Sequence, residues 1–141
     1  MEPLKFTQPH RIHFSECDPA GIVFYPQYFV MFNNLLEAWF DQLIPQGFAG
    51  FIIEQRYGIP TVHIDAEFKA VSRMGDDVHL ELQVERIGQK SLVLKQRCIS
   101  NEGELRMQVT QTYVTTSLDT HRAIPIPDEL YHALTGNHLR A

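Results

Sequence analysis

Residues 26–42 read PQYFVMFNNLLEAWFDQ. Tyr28, Phe29, Phe32, Leu35, Leu36, Trp39 and Phe40, with Leu43 just beyond, recur at spacings of three and four, the repeat of one helix face. Val30 and Met31 carry the apolar surface round most of the circumference. Asn33, Asn34, Glu37, Asp41 and Gln42 interrupt it. A helix with so little polar surface belongs inside a core. Pro26 suits its first position, where a missing N–H costs nothing. The spacing predicts a helix from Pro26 to about Gln42.

On the C-terminal side the period changes from three and four to two. Residues 48–56 read as a shorter helix before Gly58 and Pro60. In 61–70, Val62, Ile64, Ala66, Phe68 and Ala70 alternate with Thr61, His63, Asp65, Glu67 and Lys69. Residues 77–87 repeat the pattern, with Val78, Leu80, Leu82 and Val84 expected inward. Gly88 and the Asn101-Glu102-Gly103 stretch mark turns into strands over 90–100 and 104–118. Long strands joined by short turns must pair antiparallel. Pro125 and Pro127 close the sheet, and 128–135 reads as a terminal helical turn. On the N-terminal side, 8–14 reads as a strand with Ile12 and Phe14 on one face, and 15–25 as a loop turning at Asp18-Pro19 and Gly21. These elements predict an α+β fold: one antiparallel five-stranded sheet wrapped around one apolar helix, in a single domain over 1–141.

The whole-chain numbers narrow the function. The chain has 141 residues, 44% of them hydrophobic and 21% charged, with a formal net charge of −5. A sequence-blind nucleic-acid binder should be basic, so no nucleic-acid partner is expected. No apolar run approaches ~18 residues, so no membrane insertion is expected. Met1 to Lys5 offers neither a basic leader nor a long apolar segment. Two cysteines, Cys17 and Cys98, are too few for a disulfide scaffold, and a reducing cytoplasmic setting follows. Within 84–97, Arg86, Lys90, Lys95 and Arg97 face Glu85 alone, which makes a local positive patch suited to a phosphorylated small molecule or to an ordinary solvated strand face.

The loop before the apolar helix holds the candidate chemistry. A helix N-terminus presents unpaired N–H groups and partial positive charge, so it attracts developing negative charge. Tyr25, Gln27 and Tyr28 could offer N–H groups there. Asp18 lies on the same loop. A carboxylate beside an oxyanion-binding helix end can hydrolyse an activated acyl group; as a plain alternative, Asp18 starts an Asx-turn before Pro19. Cys17 is a poor nucleophile because Asp18 beside it raises its pKa. His10 and His13, three apart on an expected strand, should face opposite ways and form a poor metal pair. His63, Asp65 and Glu67 share an expected strand face, but no fourth ligand is near, and a solvated or interface face is the simpler reading. No metal is expected.

Residues 17–28, CDPAGIVFYPQY, resemble the signature loop of the hot-dog-fold acyl-CoA thioesterases, most nearly the 4-hydroxybenzoyl-CoA thioesterase branch. The resemblance continues through EFKAVSRMGDD (67–77) and HRAIPIP (121–127). It implies a hot-dog fold and a cofactor-free acyl-CoA thioesterase, CoA being part of the substrate. Carried over by position, it implies Asp18 as nucleophile or general base, the Tyr25 amide as oxyanion donor, and Lys90, Ser91 and Arg122 as CoA-phosphate contacts. Asn33 stands where the aromatic branch carries an acid that reaches the ring hydroxyl, and an amide can still hydrogen-bond there. Gly88 and Gln89 stand where that branch tends to be basic, which leaves Arg86 as a substitute cation. The resemblance further implies a homodimer or homotetramer with the site at a subunit interface. Related alternatives are a short- or medium-chain aliphatic acyl-CoA thioesterase and a non-catalytic acyl-CoA-binding module.

Overall fold

The computed structural model describes residues 4–136; residues 1–3, read above for a leader, and 137–141 lie outside it. Helix α1 runs Pro26–Leu43, with Pro26 in its first turn. Tyr28, Met31, Phe32, Leu35, Leu36, Trp39 and Phe40 are all buried, the spacing read from the sequence. Phe40 is fully inaccessible and meets the rings of Trp39, Phe48 and Phe51 edge-on, at centroid distances of 5.7, 5.3 and 5.3 Å. Ile44 leaves the helix in extended backbone at φ −125°, as the residue before Pro45 must. A short helical segment follows as α2, Gly47–Ala49, and a wide turn of π-helix, Gly50–Glu54. Asp41 Oδ1 caps it by accepting from the Phe48 N–H at 2.8 Å.

Five strands form the main sheet: β1 Lys5–Arg11, β3 Thr61–Phe68, β4 Asp77–Ile87, β5 Ser91–Ser100 and β6 Leu105–Val114. Their order is β1-β4-β5-β6-β3, antiparallel throughout. The central meander of β4, β5 and β6 is the one expected from the turns. Val78, Leu80, Leu82 and Val84 are buried, as are Leu92, Leu94, Gln96 and Cys98 on β5. An amide layer interrupts this apolar face: Gln96 Nε2 donates to Tyr113 Oη at 3.1 Å, and Gln111 Nε2 to Thr61 Oγ1 at 2.6 Å. A minor ribbon, β2 Tyr57–Gly58 against β7 Thr116–Ser117, was not expected. It arises because the stretch read as one strand over 104–118 breaks at the buried Thr115. There the N–H donates to Lys90 O and the hydroxyl to Ile124 O. Helix α3, Asp128–Thr135, ends on Gly136 in the left-handed region.

Two expectations need correction. The first strand ends at Arg11, and Phe14 begins a 3-10 turn, Phe14–Glu16, with its ring 80% exposed. Glu16 causes the turn by accepting the His13 N–H at 2.7 Å, three residues back. The second concerns β3. All eight of its residues are exposed, including Val62, Ile64 and Phe68, which were expected inward. It lies at the sheet edge beyond β6, and only Phe68, at its end, meets other aromatic rings, those of Tyr25 and Tyr28, among the described residues.

The loop between β3 and β4 pins the loop before α1. Val23 N–H donates to Ser72 O and Met74 N–H to Gly21 O, while Ile12 N–H donates to Asp76 O. Arg106 on β6 fastens this loop in turn, donating from Nη1 to Val71 O and to Asp76 Oδ2, both at 2.9 Å. Asp76 Oδ2 also accepts the Arg73 N–H at 2.9 Å. That backbone bond, and then Arg106, hold the Asp76 carboxyl below its ordinary pKa of 3.8.

Phe40→Ala should cost ~3–5 kcal/mol of stability in urea unfolding, while Phe14→Ala should stay within ~0.5 kcal/mol of wild type. Because the folded-state pKa of Asp76 is depressed, its contribution is present above the unfolded value and disappears as pH falls through the folded one. The stability gap between wild type and Asp76→Asn should therefore be largest near neutrality and shrink below about pH 4. A gap that stays constant into the acid range would mean that the charge contributes nothing.

Candidate active site

Residues 17–23 form a small hairpin closed by a bridge between Cys17 and Val23. Asp18 N–H donates to Ile22 O at 3.0 Å, and Gly21 N–H to Asp18 O at 2.9 Å. Gly21 has a φ of +77°, which a side-chain-bearing residue rarely adopts, so glycine sets this turn. Asp18 Oδ1 accepts the Ala20 N–H at 2.9 Å, an Asx-turn. Among the described residues no donor reaches Oδ2. Both readings of Asp18 thus meet in one side chain: one oxygen holds the loop and the other is unengaged.

Beyond the hairpin, Phe24 N–H donates to Glu16 O at 2.9 Å and the chain enters α1. Gln27 and Tyr28, expected to offer free N–H groups, do not: they donate to Phe24 O and Tyr25 O in tight first-turn bonds of 2.8 and 3.2 Å. Pro26 has no N–H. The Tyr25 N–H remains, with no acceptor among the described residues.

Beside Tyr25 opens a largely apolar cleft of about 310 Å³, lined by Ile22, Val23, Tyr28, Phe68, Val71 and Ser72 among others. Phe68 faces Tyr25 edge-on at 6.2 Å and Tyr28 at 6.2 Å. One wall is polar, where Tyr28 Oη donates to the buried Ser72 Oγ at 3.0 Å. Burial pushes the Tyr28 phenol above its ordinary pKa, so it stays a neutral donor. Asp18 does not line the cleft; Ile22, whose carbonyl holds the Asp18 N–H, does. The larger cavity of about 390 Å³ lies elsewhere, between Phe51, Tyr57 and the start of α3, and holds none of the expected site residues.

The remaining candidates fall in two places. Lys90, Ser91 and Arg122 belong to one corner: Ile126 N–H donates to Gln89 O, Thr115 N–H to Lys90 O, and Ser117 N–H to Arg122 O. Gly88 lets the turn close, since a Cβ there would lie 2.6 Å from Ser91 Oγ. Lys90 and Arg122 are exposed with no carboxylate partner among the described residues. The wider positive patch is weaker than its composition suggests, because Lys95 pairs with Glu85 at 3.4 Å and Arg97 with Glu81 at 3.2 Å. Asn33 stands apart on the exposed face of α1. Neither Asn33 nor the cation corner lines the cleft beside Tyr25.

Both thiols are held back. Burial first, then Glu16 and Asp18, raises the Cys17 pKa, and burial pushes Cys98 up to about 11. The expected strand face of His63, Asp65 and Glu67 does not gather, since Glu67 turns to Gln108 at 2.8 Å and Lys69 at 2.9 Å. His10 and His13 reverse their expectation. The chain leaves the strand after Arg11, so the two rings meet at 5.3 Å over Glu16. Glu16 is the residue that the sequence reading missed. Its side chain bonds His10 and the His13 N–H, and its carbonyl bonds Phe24 at the far end of the hairpin. It therefore holds the loop carrying Asp18 and Tyr25 shut. The spacing from His13 to Glu16, a capping-box interval, was the available signal.

Comparison with known proteins places this geometry. The model of the thioesterase-like superfamily matches residues 12–134. A 1,4-dihydroxy-2-naphthoyl-CoA hydrolase of Synechococcus sp. (strain CC9605) is 27% identical over 124 residues, covering 83% of this chain and 80% of that one. A 1,4-dihydroxy-2-naphthoyl-CoA thioesterase from Synechocystis has the same fold, with a TM-score of 0.82, 20% identity, and coverage of 92% and 95%. An Asp-to-Asn mutant of a 4-hydroxybenzoyl-CoA thioesterase, solved with 4-hydroxybenzoyl-CoA, superposes with a TM-score of 0.81 at 25% identity, covering 93% of this chain and 99% of that one. The family match spans four of the five sheet strands, the buried helix and the Asp18 hairpin together, and the chain belongs to the thioesterase-like superfamily, with the hot-dog fold.

Proposed function

We propose that the protein hydrolyses an aromatic acyl-CoA thioester to the free acid and CoA. The observation that carries this is the unengaged Tyr25 N–H at the start of α1, on the same loop as Asp18 and beside a cleft walled by Tyr25, Tyr28 and Phe68. The thioester oxygen accepts from the Tyr25 N–H, and the α1 dipole favours the negative charge that develops there. Asp18 works from Oδ2 in one of two ways. It adds to the carbonyl carbon, expelling CoA thiolate and leaving an anhydride that water then cleaves. Or it takes a proton from water as the water oxygen adds, and passes that proton to the departing thiolate. The acyl rings of the curated relative and of the substrate-bound structure are aromatic, which supports the same substrate class here.

The CoA end needs a second copy. Lys90 and Arg122 are suited to the CoA phosphates, yet they do not line the cleft beside Tyr25. Strand β3 is an open edge with an uncovered apolar face, and edges of this kind are paired or protected in stable proteins. In this reading a two-fold partner covers β3, and Asp18 and the cation corner that serve one substrate come from different subunits.

Asp18→Asn should fold normally and lose ~10²–10⁴-fold in kcat for CoA release, tested on a panel of aromatic and aliphatic acyl-CoAs. Cys17→Ser should change little. Turnover of Asp18→Asn within about threefold of wild type would reject the assignment. Arg122→Ala should raise KM for acyl-CoA with kcat nearly unchanged, because contacts far from the thioester bind ground and transition states alike. Co-refolding it with Asp18→Asn should restore part of the activity in hybrid dimers. A monomeric mass in light scattering with full activity would reject the shared site.

A further inference from the structure

Where β1 gives way to the 3-10 turn, three ligating groups converge. His10 Nε2 lies 3.0 Å from both oxygens of Glu16, and His13 Nδ1 lies 3.4 Å from Glu16 Oε1. All three ligand atoms fall within 4.8 Å of one another. We propose that His10, His13 and Glu16 bind a divalent transition ion of the zinc class, beside the loop that carries Asp18. The proposal is independent of the hydrolytic reading.

Three observations lead there. The first is geometric. Zinc sits ~2.0–2.2 Å from imidazole nitrogen and carboxylate oxygen, so its tetrahedral ligands lie roughly 3.4 Å apart. The His13–Glu16 separation of 3.4 Å matches that edge, the His10–Glu16 separation of 3.0 Å is a few tenths of an ångström short of it, and no pair of ligand atoms is more than 4.8 Å apart. The second is the donor set. Two imidazoles and one carboxylate suit zinc, nickel, cobalt or iron, whereas calcium and magnesium want oxygen throughout. The third is burial. The side chains of His10 and Glu16 are 19% and 13% exposed, so two ligands are held in place by packing, while that of His13 is 63% exposed and leaves a side open to water. The Glu16 carboxylate is further oriented by the His13 N–H at 2.7 Å, the kind of outer bond that fixes a metal ligand. The surface pair His63 and Asp65, 3.1 Å apart and both more than half exposed, has no third ligand gathered to it among the described residues and serves as an internal comparison.

Bound metal would replace the hydrogen bond between Glu16 and His10 with two shorter coordinate bonds. It would lock the turn from which Cys17 and Asp18 depart. The site therefore couples metal occupancy to the rigidity of the loop without placing the ion in the reaction.

The test is a Co²⁺ titration of the tag-free full-length protein, followed by visible absorption and then by Zn²⁺ competition. Wild type should show saturable bands of low-coordinate cobalt, one ion per chain, that Zn²⁺ abolishes, and Zn²⁺ should raise its Tm. His10→Ala and His13→Ala should each weaken binding by more than about tenfold and lose the Tm response, while His63→Ala should match wild type. His13→Ala alters an exposed side chain, so it carries the test even if His10→Ala folds poorly. Absence of saturable binding below millimolar metal, or binding unchanged in His13→Ala, would overturn the proposal.

Discussion

Burial of α1 governs this molecule. Seven of its side chains have lost contact with water, and that apolar face could not be stable in solvent without the rest of the core to cover it. The sheet in turn curls because β4, β5 and β6 each present a row of apolar residues to one convex object. The position of the helix fixes the position of its N-terminus, and with it the Tyr25 N–H. That amide has no acceptor among the described residues, whereas Gln27 and Tyr28 fold theirs into the first turn and Pro26 has none.

The hairpin before α1 is held from three directions. Glu16 ties its base to β1, Ser72 and Met74 tie its flank to the loop before β4, and Arg106 fastens that loop from β6. Few of these bonds lie in the hairpin's own sequence. Support of this short loop by Glu16, by the backbone of the loop before β4 and, through it, by Arg106 leaves one Asp18 oxygen unengaged among the described residues.

Periodicity made most of the fold legible. The α1 repeat, the β4 alternation and the punctuation at Gly88 and Asn101–Gly103 are local signals, and α1, β4, β5 and the start of β6 appear where those signals put them, while the end of β6 does not. The failures have physical causes. β1 was set three residues late because Ile12 is buried like a strand residue although it lies past the strand's end. Phe14 looked like its continuation, whereas the bond from His13 to Glu16 turns the chain outward. β3 carried a true alternation, but alternation reports which face is apolar, not what covers it. The loop motif resembled one in which Asp18 and Tyr25 act, and of the three amides considered only that of Tyr25 lacks an acceptor among the described residues. Ser72 and Arg106 were invisible because their roles depend on partners that the fold, not the sequence, brings near, whereas Glu16 had a local signal in its three-residue spacing from His13. The same bend explains the misread histidines: alternation separates residues three apart only while the chain remains extended.

The order of the strands has a consequence for biosynthesis. Both edge strands and the apolar helix precede the central meander in the chain, yet β1 pairs only with β4 and β3 only with β6. A ribosome making this protein from its N-terminus releases α1, with its row of aromatic side chains, before β4 has left the ribosome. No native partner is present to cover it during that interval. The nascent chain must therefore carry its most water-averse segment unshielded until the hairpins of β4–β6 emerge, and in a cell that interval is a natural point of contact for a holding chaperone.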